Sequence, residues 1–183
     1  MQEATADAAA QPGSGFGPAG RWLLAASKYW AVIGGLVFVA LVAMSIVSIT
    51  GRKLFSAPVP GDVEVLQMSA AVASACFFAY CHLAGGDVKV DFFTHHLSAA
   101  KVAALDAFGS LLVGLFGALL AWRTAAGALG VKEAGETSAI LDWPVWVAQA
   151  LMVPGFALLA AAGFYMVGVR WRTLAAARAR AAS

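Results

Sequence analysis

The sequence predicts an all-α integral membrane fold: four transmembrane helices, both termini cytoplasmic, and a short interfacial segment after the first helix. Three observations carry this. Between Lys28 and Arg52 stand twenty-three residues without a formal charge, and about twenty apolar residues in a helix cross the hydrocarbon core of a bilayer. Three more charge-free or nearly charge-free tracts follow, bracketed by Glu64 and Asp87, by Asp106 and Arg123, and by Asp142 and Arg170. The composition agrees, with 61% hydrophobic and 12% charged residues and a mean hydropathy of +0.80; soluble domains carry about a quarter charged residues.

Residues 1–20 are rich in Ala, Gly, Pro and Gln. They lack the basic start and apolar stretch of a signal peptide, so they are expected to form a disordered N-terminal tail. The four-helix membrane domain is expected over 21–172, with helices at about 29–50, 63–84, 100–125 and 144–169, followed by a basic C-terminal tail at 173–183. Four spans in 183 residues leave only short loops, so no separate soluble domain is expected.

In the first helix Lys28 and Trp30 anchor the start, and Gly51-Arg52 mark the end. Pro58 and Pro60 then forbid a continuous helix. The apolar Leu54, Phe55 and Val59 place the connecting segment at the membrane interface. Asp62 and Glu64 suit the positive end of a second helix dipole, and Gly85-Gly86 close that helix. Its middle offers two small-xxx-small pairs, Ser69 with Ala73 and Ala70 with Ser74, which admit a neighbouring helix closely. Cys76 and Cys81 lie five residues apart on this helix, point in different directions and are not expected to bridge.

Ser98 is a natural N-cap for the third helix, where Gly114 and Gly117 thin one face. The charges Lys101, Asp106 and Arg123 reach an interface by tilt and snorkelling. Trp143, Pro144 and Trp146 open the fourth helix, Pro being tolerated in a first turn. Pro154-Gly155 are expected to kink it, and Arg170-Trp171-Arg172 to stop it. The tail beyond is expected to fray into solvent or to lie on anionic lipid.

Lysine and arginine near helix ends set the orientation. One side collects Arg21, Lys28, Lys89, Lys101, Arg170, Arg172, Arg178 and Arg180; the other collects Arg52, Lys53, Arg123 and Lys132. Both termini are therefore expected in the cytoplasm.

Ionisable residues at mid-depth usually mark a transport path through lipid. The centres of these four tracts carry none, so a transport pathway formed by the chain alone, as in a small channel or exporter, is not expected. No nucleophile and base, phosphate loop or nucleotide fingerprint is present, and no catalytic residue is assigned. No basic and aromatic cluster supports nucleic-acid binding. A haem- or quinone-binding membrane anchor of a respiratory complex is the alternative. It needs axial histidines on facing helices, whereas His82 ends the second helix and His95 and His96 follow in the next loop. Arg52 and Lys53 can bind phospholipid headgroups or simply anchor their helix, and Glu64 can pair with Arg52, with Lys53 or with a partner chain. No cofactor and no metal site is expected.

The stretches SITGRKLFSAPVPGDVEVLQ, AYCHLAGGDVKVDFF and GETSAILDWPVW together resemble the small membrane subunit (DctQ type) of TRAP transporters, the tripartite ATP-independent periplasmic carriers of organic acids. Arg52 and Glu64 match the Arg that closes the family's first helix and the Glu that opens its second. Val88, Lys89, Val90 and Asp91 match the motif after the second helix; Asp87 stands where the family usually has His, and the usual Arg before the glycines is missing. Gly135, Ser138, Leu141, Pro144 and Trp146 match the approach to the fourth helix. The resemblance covers about residues 21–172.

It implies a scaffold subunit in the bacterial inner membrane, not an enzyme. Its partners would be a large permease subunit, which holds sodium and substrate, and a periplasmic substrate-binding protein. Arg52, Lys53, Glu64, Lys89, Asp91, Ser138, Pro144 and Trp146 are then candidate lipid or partner contacts, and the outward loops from Arg52 to Glu64 and from Lys132 to Trp146 are the expected docking face.

Overall fold

The computed structural model describes residues 16–86 and 99–181. They form four long helices: α1 Pro18–Phe55, α2 Asp62–Leu83, α3 Ala99–Ala134 and α4 Val145–Ala181. All four are long and apolar enough to cross a membrane. Helices that are apolar all round suit surroundings of lipid and protein on every side.

Three helices outrun the expected bounds. The first begins at Pro18 and not near Tyr29, so residues 18–20 are its first turn and not tail, and it ends at Phe55 and not at Gly51-Arg52. The third runs to Ala134, and the fourth passes through Arg170-Trp171-Arg172 to Ala181. Hydropathy marks where a helix leaves lipid, not where it stops being a helix. The run TLAAARARA has no Gly or Pro and is built mostly from the strongest helix formers, so nothing in it ends α4. Pro144 precedes α4 and makes a bridge with Thr137 instead of entering the first turn. Pro154 lies within a helix assigned without a break. The expected cap Ser98 lies outside the described residues.

In space the order is α1–α2–α4–α3. Among the described residues α4 packs on all three other helices, α1 packs mainly on α2, and α2 and α3 do not pack together. The result is a row, or slab, and not a closed bundle.

Small residues make the seams. On α1 the buried positions Gly20, Ser27, Gly34, Leu41 and Ser48 recur every seven residues. On α3, Ala107, Ser110, Gly114, Gly117 and Ala128 are buried, and half-buried Ala121 and Thr124 complete an alternation of threes and fours. This period lets helices stay in contact over many turns. At their closest points the seams leave no room for side chains. A Cβ at Gly155 would lie 2.5 Å from the Ala75 carbonyl oxygen, and one at Gly163 would lie 2.9 Å from the Ser110 carbonyl oxygen and closer still to the Gly114 backbone. The Gly114 and Gly117 face expected for packing is therefore the α3–α4 seam. Of the small pairs expected on α2, Ala73 is fully buried and meets Gly34, whereas Ser69, Ala70 and Ser74 are half-buried; the other buried positions of α2 are Ala75, Cys76, Ala79, His82 and Leu83.

Aromatic stacking adds to the seams, Phe38 on Phe77 at 5.9 Å and Phe78 on Phe156 at 6.3 Å between ring centroids. At the end bearing the described termini, the Gly17 amide donates to the Tyr165 hydroxyl at 3.2 Å. Nearby, Arg170 ties α4 to α3, its Nη1 lying 2.8 Å from the Asp106 carbonyl oxygen and 3.3 Å from Asp106 Oδ1.

Replacing Gly163 by Leu forces α3 and α4 apart and is expected to destabilise the protein by about 2–3 kcal/mol in detergent. Gly109→Ala, where an added Cβ meets nothing within 4 Å, is expected to be neutral or to gain up to about 1 kcal/mol from helix propensity. Thermal unfolding of the two variants side by side measures the difference.

Candidate functional site

The candidate contacts converge at the end of the slab formed by the α1–α2 and α3–α4 loops. The first loop is short because α1 continues to Phe55 and the chain then reverses. Ser56 adopts the left-handed region at φ 52, and the Ala57 amide donates back to the Gly51 carbonyl at 3.2 Å. A side chain at position 51 would meet the Ala57 carbonyl oxygen at 2.6 Å, so glycine here leaves room for the returning chain.

Ser48 is the hub of this loop. It ends the buried seven-residue series of α1 and is 1% exposed. Its hydroxyl donates to Asp62 Oδ2 and accepts from the Val59 amide at 3.3 Å. Asp62 also meets Arg52, Nη2 to Oδ2 at 3.2 Å, and accepts from the Val63 amide at 2.8 Å. The Arg52 side chain is 59% exposed, so this ion pair contributes little beside the buried serine contacts.

Of the partners the sequence left open for Glu64, it takes neither Arg52 nor Lys53; Asp62 pairs with Arg52 instead. The Glu64 carboxylate reaches across to the α3–α4 loop. Its Oε1 accepts from the Ile140 amide at 2.8 Å and its Oε2 from the Leu141 amide at 3.2 Å. One side chain thus satisfies two backbone donors on a loop seventy-six residues away, donors that would otherwise need water. Leu141 rests on Gly61, where a Cβ would lie 2.5 Å from Leu141 Cγ. Gly61 is also at φ +71, a region that side chains disfavour.

The α3–α4 loop is folded tightly before Glu64 engages it. After α3, Gly135 at φ +66 gives the reversal; its amide donates to the Lys132 carbonyl and the Glu136 amide to the Val131 carbonyl, both at 3.2 Å. This two-bond pattern closes a helix with a left-handed residue. Buried Ser138 donates its amide to the Trp143 carbonyl at 2.8 Å and accepts from the Trp143 amide on its hydroxyl at 3.2 Å. Asp142 turns the tip at φ 53. Lys132 Nζ lies 4.8 Å from the centroid of the Trp146 ring, within range for a cation–π contact.

The structure therefore brings Arg52, Glu64, Ser138, Pro144 and Trp146 to one end of the molecule, with Lys53 exposed beside them. Lys89 and Asp91 lie outside the described residues, as do Asp87, His95 and His96. His82 is buried at the far end of α2, on a groove of about 700 Å³ between α2 and α3 lined also by Phe78, Leu112, Phe116 and Leu159. Among the described residues no group of three or more His, Cys, Asp or Glu could hold a metal ion. Sequence reasoning missed Ser48 as a hub and Asp62 as the partner of Arg52. The signal was present, since Ser48 continues the spacing of Gly20, Ser27, Gly34 and Leu41.

Removing the carboxylate of Glu64 frees the α3–α4 loop. Glu64→Ala is expected to speed amide hydrogen exchange at Ile140 and Leu141 by about tenfold or more, with Glu64→Gln between it and the parent. Ser48→Ala is expected to raise exchange at Val59 and to lower the unfolding temperature more than Arg52→Ala does.

A family model described as "Tripartite ATP-independent periplasmic transporters, DctQ component" matches residues 41–173. Comparison with curated proteins and with solved structures gave no match. The matched span begins within α1 and ends within α4, so it takes in both interlocked loops. The chain belongs to the DctQ family, the small membrane component of TRAP transporters.

Proposed function

We propose that the chain is the small permease subunit of a sodium-coupled TRAP transporter for organic acids. It braces the large permease subunit in the bacterial inner membrane and helps dock the periplasmic substrate-binding protein. The observation that carries this reading is the shape of the slab: a single row of helices held by glycine and alanine seams, with most of its large apolar side chains turned outward. Leu36 and Val39 on α1 are 66% and 68% exposed, and Phe116 on α3 is 58% exposed. A row presents two broad apolar faces, one for lipid and one for another membrane protein.

Both termini lie in the cytoplasm in this reading, which the lysine and arginine distribution supports. The interlocked loops then face the periplasm. Glu64 holds them as one platform, with Arg52, Lys53 and Lys132 as exposed cations for an acidic partner surface or for phospholipid headgroups. Ion coupling and substrate choice reside in the other two subunits.

A tagged chain extracted from membranes in mild detergent is expected to bring down a much larger polytopic protein. Recovery of a flavin or iron–sulfur enzyme, or a haem absorption band in the purified chain, would instead establish the respiratory anchor. The chain reconstituted by itself is expected to give no organic-acid flux into liposomes.

A further inference from the structure

The seams fix which residues of neighbouring helices stand at the same height. Gly117 of α3 lies against Ala160 of α4. The pair is antiparallel, so Arg123, six residues beyond Gly117, stands level with Pro154, six residues before Ala160. Next to Pro154, Gly155 packs on Ala75 of α2, and the adjoining Ala73 and Cys76 pack on Gly34 of α1. A plane drawn through Arg123 across the helices therefore cuts α2 midway between Glu64 and Gly86. It cuts α1 only about six residues from Lys28 and about eighteen from Arg52. An exposed arginine thus stands at the height where its neighbours are wholly apolar.

Upright in a bilayer, such a slab would hold Arg123 in hydrocarbon, a costly place for a charge. The charge boundaries of all four helices point to another arrangement. On the loop side they fall at Arg52 on α1, Glu64 on α2, the start of α4, and Arg123 on α3. Measured along the helices, that line is highest on α1, nearly level between α2 and α4 and lowest on α3, a total descent of roughly 27 Å at about 1.5 Å per residue. On the opposite side the boundaries are Lys28, Gly86, Arg170 and Asp106, and the last two are bonded to each other. That line descends the same way, by roughly 16 Å. Three interhelical spacings cover about 27 Å, so both lines slope in one sense.

We propose that the slab lies obliquely in the bilayer, its helices tilted by roughly 35° toward one edge of the row. This places Arg123, beside the 67% exposed Trp122, in the phospholipid headgroup layer on the loop side. A single rotation brings every described charge to an edge of the hydrocarbon. It also explains why α3 continues for eleven residues past Arg123, to Ala134: in the tilted slab that segment stands clear of the acyl chains. The inference rests on the membrane reading alone and is independent of the proposed transporter role.

The test compares thiols placed at equal height on opposite edges of the row. In the full chain carrying Cys76→Ala and Cys81→Ala, single variants Arg123→Cys and Leu36→Cys are treated with a charged maleimide in membranes opened to both faces. Trp122→Cys, which leaves the arginine in place, covers the case in which Arg123→Cys fails to insert. The oblique arrangement predicts labelling at 122 or 123 at least about tenfold faster than at 36, since thiols react as thiolate, which needs water. Equally slow labelling at the two edges overturns it. So does fast labelling at 122 and 123 that disappears when the large subunit is bound, because Arg123 is then a protein contact and not a headgroup residue.

Discussion

The close backbone approach of α3 and α4 at Gly114, Gly117, Ala160 and Gly163 is the constraint on which the rest of the slab depends. In lipid, apolar side chains gain nothing from leaving the solvent, so helices associate through packing at short range. Short range demands small residues, and α4 needs them on two sides: Ala160 and Gly163 toward α3, Gly155 toward α2. With the closest contacts given to glycine, alanine and serine, most of the leucines, valines and phenylalanines are left for the periphery, while Leu41, Leu83, Phe156 and Leu159 stay buried.

Polar contacts are confined to the ends of this apolar slab, and helix geometry decides which acid does what. Asp62 and Glu64 stand two residues apart in the first turn of α2, so they project from nearly opposite sides of it. Asp62 faces α1 and meets Ser48 and Arg52; Glu64 faces the α3–α4 loop and meets Ile140 and Leu141. For that reason Arg52 cannot share Glu64. Both carboxylates also sit near the positive end of the α2 dipole, where negative charge is favoured. The acidic first turn of α2 is thus a two-sided clasp, joining the α1–α2 reversal to the α3–α4 reversal.

The number of helices was legible in the charge-free tracts because lipid imposes a length and a polarity that the chain cannot disguise. The close of α2 at Gly85 was legible because a left-handed glycine is required there. The outer ends of α1, α3 and α4 were not: the drop in hydropathy marks the edge of the hydrocarbon, and a chain rich in helix formers continues past it as helix. The convergence of Arg52, Glu64, Ser138, Pro144 and Trp146 on one end followed from their motif order, since alternate loops of a four-span chain share a side. Their partners did not follow. Whether Arg52 meets Asp62 or Glu64 turns on the angular position of each acid, and the choice of Asp106 for Arg170 turns on the register of the α3–α4 seam, which hydropathy does not carry.

Register and order need a source other than apolarity, because any apolar face satisfies lipid and any other apolar face equally. The row α1–α2–α4–α3 is selected by complementarity of small residues: the seven-residue series on α1 receives Ala73 and Cys76, and Ala75 receives Gly155. Sliding α4 past its neighbours by a turn would bring Leu151 or Leu159 to the place of Gly155 or Gly163, where not even a Cβ fits. The end ties act in the same direction. Glu64 holds α2 to the α3–α4 loop, and Asp106 with Arg170 holds α3 to α4 at the other end. A row fixed at both ends and along its seams keeps its shape while its faces stay undemanding. In the proposed role, such a body would lie against the large permease subunit and hold its own shape.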